Sequence, residues 1–336
     1  MKNNIRIYDN VASELLWGNA DALHESELSV VIPTYKRANL LRHTLESVLQ
    51  QARALKIRVL IVDNNPERDD ETERLVKETC GRDDVCYYKN KENIGPCGNW
   101  NRMLELCPTR WCMMLHDDDV LFPDRMSFLL DMVREHPTAA VISFAKVDFR
   151  GEGGYDGEEI PLARTAKSMR LELGQCLASN PVHVVGLLLR RDVILSHGGF
   201  DNSYYPSIDY ECWLRLLIAG EAVVLSQAII GAYRWFDNDT LRPETVKNMH
   251  KIDLLLRQHY ANQARMHPMM QYYLERKSLR HAKKAFAKAG IGRNEYVAWQ
   301  KQFVLLKLPW YLRVKFLWAS FSIRKLLKIR WECNQN

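Results

Sequence analysis

Short apolar runs alternate with segments of helical period through the first third of the chain, and this alternation constrains the fold more than any other feature. The apolar runs have the length of buried strands and occupy residues 28–32, 57–62, 85–88 and 111–115. The helical patterns lie between them, over residues 39–51, 70–79 and a stretch beginning near residue 99. Such alternation is typical of right-handed βαβ units, so the sequence predicts an α/β fold with a mostly parallel sheet flanked by helices.

The alternation loosens beyond residue 139. Predicted strands are 141–147, 182–189 and two short ones within 223–235, with a helix over 209–220 and helices beyond Pro243. A chain of 336 residues is long enough for one large α/β domain and an extension. We therefore divide it into an N-terminal segment 1–27 of no clear period, a domain 28–242 and a helical, basic C-terminal region 243–336.

Polar side chains directly follow three of the predicted strands. Thr34 and Asp63 end the first two, and Asp117, Asp118 and Asp119 follow the fourth. Ligands of open α/β sheets bind beyond the carboxyl ends of the strands. The sequence therefore predicts one polar crevice shared by three strand ends.

The three consecutive carboxylates at 117–119 need something to offset their mutual repulsion. Hard divalent cations such as Mg²⁺ and Mn²⁺ prefer carboxylate ligands and are often shared with substrate phosphates. The alternative is a solvated acidic turn before a helix beginning near Pro123, where carboxylates suit the helix dipole. The triplet alone does not separate these two interpretations.

Five ordered motifs carry a family resemblance. They read VVIPTYKR at 30–37, LIVDNN at 60–65, NIG at 93–95, LHDDDV at 115–120 and IDYECWLR at 208–215. Each is weak alone, but in this order and spacing they resemble the family 2 glycosyltransferases. The resemblance covers residues 28 to about 242, and it implies a GT-A, Rossmann-like nucleotide-sugar-binding fold and an inverting glycosyltransferase.

The resemblance also implies a nucleotide site. Its residues would be Pro33, Thr34, Tyr35 and Asp63 at the base and ribose, Arg37, Asn93 and Gly95 nearby, and Arg102 at a phosphate. UDP is the default nucleotide because it is the most frequent in the family. The sugar and the linkage stay open.

The acidic triplet matches the family's DXD region, whose carboxylates bind a metal, Mn²⁺ or Mg²⁺, and the donor. This chain departs from the commoner Asp-x-Asp-Asp form because His116 occupies the first position. We favour Asp117 and Asp119 as metal ligands, with Asp118 close behind and with Asp117 and Asp118 also near the donor. His116 is either a further ligand or a hydrogen-bonding group beside the metal.

The resemblance places the general base at Asp209, with Glu211 in reserve. Ile208 stands where the family has a glutamate. A metal cluster and a second carboxylate about ninety residues later fit a single displacement with inversion. Alternatively, both acids are ordinary surface groups at a helix start.

Residues 233–239 are either a mobile loop near the donor or acceptor or a plain surface loop.

The charge of the chain is unevenly distributed. Residues 251–336 contain 18 Lys and Arg against 4 Asp and Glu, a net charge of +14, whereas the rest of the chain is acidic. Basic residues alternate with large apolar ones over 303–331, a pattern that favours an anionic membrane surface, although such helices also pack routinely on their own domain. The family's usual acceptors, polyprenyl-diphosphate-linked saccharides of bacterial surface polysaccharide assembly, suit that location. Nucleic acid is disfavoured because no recognised motif accompanies the charge.

Other features narrow the class of protein. The N-terminal residues lack the apolar core of a signal peptide, and the chain has no uninterrupted apolar stretch of about 18 residues. The eight cysteines form no CxxC pair, which favours free thiols in a reducing cytoplasm. We therefore expect a cytoplasmic protein on the inner face of the membrane. The rival functions are a nucleotidyltransferase, which would normally have a glycine-rich loop after the first strand, and a non-catalytic carbohydrate- or membrane-binding protein.

Overall fold

The computed structural model describes residues 4–20, 27–158, 160–236, 242–307, 309, 322–323, 325 and 327–328. The strands are β1 (Ser13–Trp17), β2 (Leu28–Thr34), β3 (Arg58–Asp63), β4 (Val85–Asn90), β5 (Trp111–Met114), β6 (Val120–Leu121), β7 (Ala139–Phe149), β8 (Ser168–Arg170), β9 (Leu187–Arg190) and β10 (Ala222–Arg234). The helices are α1 (Ala38–Ala54), α2 (Glu71–Thr79), α3 (Gly95–Leu106), α4 (Arg125–Glu135), α5 (Leu173–Ser179), α6 (Arg191–Ser196), α7 (Ile208–Ile218), α8 (Pro243–Gln263), α9 (Pro268–Lys288) and α10 (Arg293–Gln300). Two short 3-10 helices cover Ile5–Tyr8 and Asn202–Tyr204.

The strands form one mixed sheet in the order β1-β4-β3-β2-β5-β9-β7-β10-β6, with β8 paired to β10. Strands β2 to β5 are parallel to one another. Strand β9 is antiparallel to both β5 and β7, and β10 is parallel to β7. Six strands (β2–β5, β7 and β10) therefore point the same way, and their carboxyl ends share one edge of the sheet.

Successive strand residues pack on opposite faces of this sheet. Val30 and Ile32 lie in one apolar cluster with residues of α1, α2 and α4. Val31, between them, lies in a second cluster with residues of α3, α5, α6 and α7. Both faces of the sheet are thus covered by helices, which explains why its inner strands are continuous apolar runs rather than alternating ones. The predicted α/β architecture, a mostly parallel sheet flanked by helices, is confirmed.

The structure departs from the predicted elements in several places. Strand β1 pairs antiparallel with β4, so residues 13–17 extend the sheet even though they lie within the segment 1–27 that we set apart from the domain. Residues 222–234 form one long strand rather than two short ones, because irregularities near Ser226 and Ile229 interrupt its pairing with β7 without ending it. The short strands β6 and β8 and the short helices α5 and α6 were not predicted, and the predicted strand 182–189 is a strand only from Leu187 onward.

The C-terminal region is helical as predicted between residues 243 and 300. Helices α8, α9 and α10 share a small apolar cluster around Phe286 and Trp299. The chain then leaves helical conformation, and the amide of Leu306 donates to Glu275 Oε2 at 2.8 Å. Most of the basic apolar stretch 303–331 lies outside the described residues. Among the helices that are described, none has both the length and the apolar character needed to span a bilayer.

Candidate active site

The shared carboxyl edge of the six like-directed strands gathers most of the predicted polar residues. Thr34 and Asp63 are the last residues of β2 and β3, and the triplet 117–119 follows β5. Arg234 is the last residue of β10, which lies four strands away from β2 in the strand order. The strand ends thus bring these residues to one edge of the sheet.

Asp117 faces β2 and the turn after it. Its Oδ2 accepts the Thr34 hydroxyl at 2.7 Å, and its Oδ1 lies 3.7 Å from the Arg37 guanidinium. Burial and the neighbouring Asp118 carboxylate raise the pKa of Asp117 to about 7. Asp118 Oδ2 accepts a hydrogen bond from Arg37 at 3.0 Å, so one arginine serves two carboxylates.

His116, Asp118 and Asp119 form the one group of metal-ligand type in the described residues. One ligand atom from each lies within 4.8 Å of the others. His116 Nε2 and Asp119 Oδ2 are buried without a hydrogen-bond partner in the described structure. Burial lowers the pKa of His116 and raises that of Asp119, so the imidazole is neutral and has a lone pair for a metal. This donor set, two carboxylates and an imidazole, fits a divalent cation.

Asp117, which we favoured as half of a metal-binding pair with Asp119, lies outside this group. Its carboxylate is turned to Thr34 and Arg37 instead. The structure thus groups His116 with Asp118 and Asp119. The indole of Trp100 packs on the His116 ring, with the ring centres 5.3 Å apart, and helps to hold its orientation.

Arg234 forms hydrogen bonds to the acidic triplet, a role that the sequence did not indicate. It is fully buried, and its Nε donates to the carbonyl of Asp118 at 2.8 Å. Its backbone amide donates to Asp119 Oδ1 at 3.1 Å, and its guanidinium also donates to the carbonyls of Gly151 and Gly153. Because these partners are remote from Arg234 in the sequence, no local sequence pattern indicates that Arg234 supports the triplet. The rest of the predicted loop, residues 237–239, lies outside the described residues.

Asp63 stands at the crevice edge but is fully enclosed. Its Oδ2 accepts the Tyr87 hydroxyl at 2.6 Å, and its Oδ1 accepts the amide of Asn65 at 2.9 Å. Lys89 Nζ lies 3.4 Å from the same carboxylate, and burial raises the pKa of Asp63. A nucleotide would therefore contact Asp63 only if Tyr87 or Lys89 moved.

A buried amide network fixes the loop at 93–95. Asn64 Nδ2 donates to Asn93 Oδ1 at 2.7 Å, and Asn64 Oδ1 accepts from Asn90 at 3.0 Å. Asn93 Oδ1 also accepts the amide of Gly95 at 2.9 Å. Gly95 has a φ of +73°, a left-handed conformation that costs glycine little. The loop opens α3 in one defined conformation beside the end of β3.

Arg102, the predicted phosphate contact, is buried and hydrogen-bonded to other parts of the protein. Its guanidinium donates to the carbonyls of Tyr8 and Val11, to the Ser13 hydroxyl and to Glu105. These bonds engage all three of its nitrogens and anchor the N-terminal segment to α3. With its guanidinium engaged in this way, a phosphate contact at Arg102 stays a prediction.

Asp209 and Glu211 both lie in the first turn of α7, but their surroundings differ. Glu211 is buried, accepts two hydrogen bonds from Arg215 at 3.0 Å each and accepts the Tyr260 hydroxyl at 2.8 Å. It is committed to holding α7 against α8, so we drop it as a reserve base. Burial raises the pKa of Asp209 to about 6, and nearby Asp253 adds to the rise. A carboxylate with that pKa is ionised at neutral pH and is a better proton acceptor than an ordinary aspartate.

The exposed residues on the nucleotide side are Tyr35 and Asn93, beside the half-buried Arg37. Pro33 is buried near the end of β2, past the last β2 residue that pairs with β5, where its missing amide hydrogen costs little. This edge of the sheet thus combines a positive side chain, a group of side chains of metal-ligand type and an exposed aromatic ring. This combination suits a ligand that carries both a ring and negative charge.

Comparison with protein families gives a match over the N-terminal half of the chain. The model of the family described as glycosyl transferase family 2 matches residues 29–193. A Haemophilus influenzae protein described as an uncharacterized glycosyltransferase is 25% identical over 191 residues, 56% of this chain and 62% of that protein. The amylovoran biosynthesis glycosyltransferase AmsE of Erwinia amylovora is 23% identical over 133 residues, 40% of this chain and 48% of that protein. The chain therefore spans less than two thirds of the length of these relatives.

Solved structures support the fold. S. aureus TarS 1–349 in complex with UDP-GlcNAc has a TM-score of 0.57 at 13% identity, covering 90% of this chain and 82% of that chain. The mannosyltransferase PcManGT of Pyrobaculum calidifontis, in complex with GDP-Man and Mn²⁺, has a TM-score of 0.54 at 15% identity, covering 94% of this chain and 86% of that chain. At these identities the likeness establishes the fold alone.

Proposed function

Residues 29–193 belong to glycosyl transferase family 2, and on that premise we propose that the protein is a metal-dependent, inverting glycosyltransferase. It would transfer a sugar from a nucleotide-sugar, by default a UDP-sugar, to a hydroxyl of a glycan acceptor. The observation that carries the proposal is the group of His116, Asp118 and Asp119 at the carboxyl edge of the sheet. Unpartnered buried ligand atoms there fit a cation better than a solvated acidic turn.

The donor would occupy the crevice between β2, β3 and the triplet. TarS with UDP-GlcNAc and PcManGT with GDP-Man share this fold and support a nucleotide-sugar as the ligand. We assign the base and ribose to the turn at Pro33, Thr34 and Tyr35 and to the loop carrying Asn93 and Gly95. Arg37, already beside two carboxylates, is placed to meet a diphosphate as well.

His116, Asp118 and Asp119 would hold the metal, and a bound divalent cation would offset the negative charge that grows on the departing diphosphate. Arg234 keeps Asp118 and Asp119 in place through its bonds to the Asp118 carbonyl and Asp119 Oδ1. Asp117 positions Arg37 and Thr34 rather than the cation. In these assignments Asp118 and Asp119 would bind the cation, whereas Asp117 would orient the neighbouring side chains.

Asp209 would remove the proton from the acceptor hydroxyl as that oxygen attacks the sugar from the face opposite the diphosphate. The acceptor oxygen forms a bond to the anomeric carbon of the sugar, and the bond between that carbon and the diphosphate oxygen breaks. The hydroxyl proton passes to the Asp209 carboxylate. This single displacement inverts the configuration. Glu211 takes no part because Arg215 and Tyr260 occupy its oxygens.

A screen of nucleotide-sugars tests the proposed activity directly. We expect one or more UDP-sugars to be hydrolysed slowly by the full chain in the presence of Mn²⁺, since water replaces the acceptor when none is supplied. Release of the nucleoside diphosphate is the measurement, and the same reaction after exhaustive chelation is the control.

Two outcomes would contradict the proposal. Failure of UDP-, GDP-, ADP- and CMP-sugars alike to be bound or hydrolysed would favour a non-catalytic binding protein. Release of pyrophosphate from a nucleoside triphosphate and a sugar phosphate would favour a nucleotidyltransferase.

We further propose that the acceptor is a saccharide on a lipid diphosphate and that the basic C-terminal region contacts an anionic membrane. Helix α9 supports this with a cationic face. Exposed residues of its second half are Arg280, His281, Lys283, Lys284, Ala287 and Lys288. No acidic residue occurs between Glu275 and Glu295, and within the described part of the chain no ion pair involves these cations. Unpaired cations on one helix face suit a negatively charged lipid surface.

Charge reversal on α9 tests the membrane contact. The variant Arg280→Glu, Lys283→Glu, Lys284→Glu should bind phosphatidylglycerol-containing vesicles at least about a hundredfold more weakly, since each surface cation contributes roughly 1 kcal/mol. Co-sedimentation of the full chain with vesicles measures the change. The matched control Arg42→Glu, Lys56→Glu, Arg74→Glu alters the net charge equally at exposed positions elsewhere. Equal loss of binding in both variants would contradict a specific role for α9.

A further inference from the structure

A cleft of about 470 Å³ opens beside the loop that precedes α7. Its walls are Tyr205 and Pro206 of that loop, the first two turns of α8, and Trp299 and Gln302 at the end of α10. The volume is in the range of small-molecule sites. Neither the family match at residues 29–193 nor the motifs of the sequence cover its α8 and α10 walls.

The cleft lies beside the loop that leads to the candidate base. Pro206 lies three residues before Asp209, and Ser207, between them, donates to Asp253 Oδ1 of α8 at 2.8 Å. The Asp253 charge contributes to the raised pKa of Asp209, so the two carboxylates are close. Asn248 Nδ2 donates to the Tyr205 carbonyl at 3.3 Å and ties α8 to the same loop. The cleft wall and the start of α7 are therefore one connected unit.

The lining mixes flat apolar surface with hydrogen-bonding side chains. Tyr205, Pro206 and Trp299 supply the apolar part, and Trp299 is held by a bond from its indole nitrogen to the Lys247 carbonyl at 3.3 Å. Thr245, Asn248, Lys251 and Gln302 supply the polar part. A pyranose has the matching character, since its faces carry C–H groups and its rim carries hydroxyls. A purely apolar ligand would leave the polar side chains without partners.

The two lysines of the cleft differ in whether their ammonium groups already form ion pairs. Lys247 is paired with Glu244 at 2.8 Å and with Glu295, and hydrogen bonds to these glutamates raise its pKa. Lys251 lies one turn further along α8, is exposed, and has no ion-pair partner in the described structure. Its ammonium group is therefore the strongest unengaged donor of the cleft.

We propose that this cleft is a saccharide subsite that holds the acceptor glycan next to Asp209, with Lys251 and Gln302 donating to sugar oxygens. The assignment rests on the proposed function for the role of Asp209, and it adds the place where the acceptor sugar binds. It also gives the C-terminal helices a part in acceptor recognition as well as in membrane contact.

Saturation-transfer NMR on the full chain tests the subsite without any donor. The probes are glucose, N-acetylglucosamine and glucuronic acid, which span neutral, acetamido and acidic pyranoses. We expect at least one probe to receive saturation from the wild-type protein. Its dissociation constant should rise at least about tenfold in the variant Lys251→Ala, Gln302→Ala, because one charged and one neutral hydrogen bond are lost. Both side chains lie on the surface, so their removal leaves the fold intact.

The variant Gln50→Ala, Arg74→Ala, at exposed positions of α1 and α2, is the matched control and should bind the probe like the wild type. Lack of saturation transfer to all three sugars, or equal binding by the cleft variant, would overturn the subsite. Donor hydrolysis in the presence of Mn²⁺ is measured in parallel. Hydrolysis without sugar binding refutes the cleft alone, whereas sugar binding without any donor hydrolysis refutes the proposed transferase activity alone.

Discussion

Replacing Asp209 by asparagine should lower sugar transfer by about 10²–10⁴-fold, the usual contribution of a positioned general base. Asparagine has nearly the same shape but cannot accept the proton of the acceptor hydroxyl. Nucleotide-sugar binding should be unchanged because the donor crevice lies at the triplet and at the ends of β2 and β3. Transfer rates and donor dissociation constants, measured on the same preparation, separate the two effects.

The pH profile gives an independent readout of the same residue. Because the pKa of Asp209 is raised to about 6, the base is protonated and inactive below that pH. The rate should therefore rise with pH through about 6 and then level off, and this limb should disappear in Asp209→Asn. A control is Asp192→Asn, which removes an exposed carboxylate from the first turn of α6. Near-normal transfer by Asp209→Asn would move the base elsewhere.

The strand ends of the site were predictable because they depend on local patterns. Thr34, Asp63 and Asp117 each follow an apolar run, and parallel strands bring such ends together whatever the loops do. The strand β1 was not predictable in the same way. Its residues are only partly buried, and its place is decided by pairing with β4, more than seventy positions away.

The different roles of the site residues depend on contacts between distant parts of the chain, which no local sequence pattern encodes. Three adjacent aspartates look equivalent in sequence, but the turn after β5 points Asp117 at Thr34 and Asp119 at Arg234. Arg102 is a similar case. Its charge suggested a phosphate, whereas the fold brings the carbonyls of the N-terminal segment to its guanidinium.

The Arg234 contacts also account for the place of a histidine in the proposed metal-binding group. Asp119 Oδ1 is bonded to the Arg234 amide, which leaves Oδ2 as the unpartnered atom facing His116 at 4.0 Å. Asp118 joins them from the neighbouring position. With Asp117 committed to Thr34, the imidazole takes the place that a further carboxylate would otherwise fill, and this arrangement leads to the second large effect that we predict.

Replacing Asp119 by asparagine should weaken Mn²⁺ binding at least about a hundredfold, since changing groups that merely orient metal ligands already costs 10–100-fold. The asparagine oxygen can still accept the Arg234 amide, so the fold should survive while the charged ligand is lost. Electron paramagnetic resonance of free Mn²⁺ measures the affinity without relying on activity. Asp118→Asn and His116→Ala should show losses of the same order, and Asp117→Asn a smaller one. If Asp117→Asn instead lost the most affinity while His116→Ala bound normally, the metal would belong to the Asp117–Asp119 pair and the grouping around His116 would be refuted.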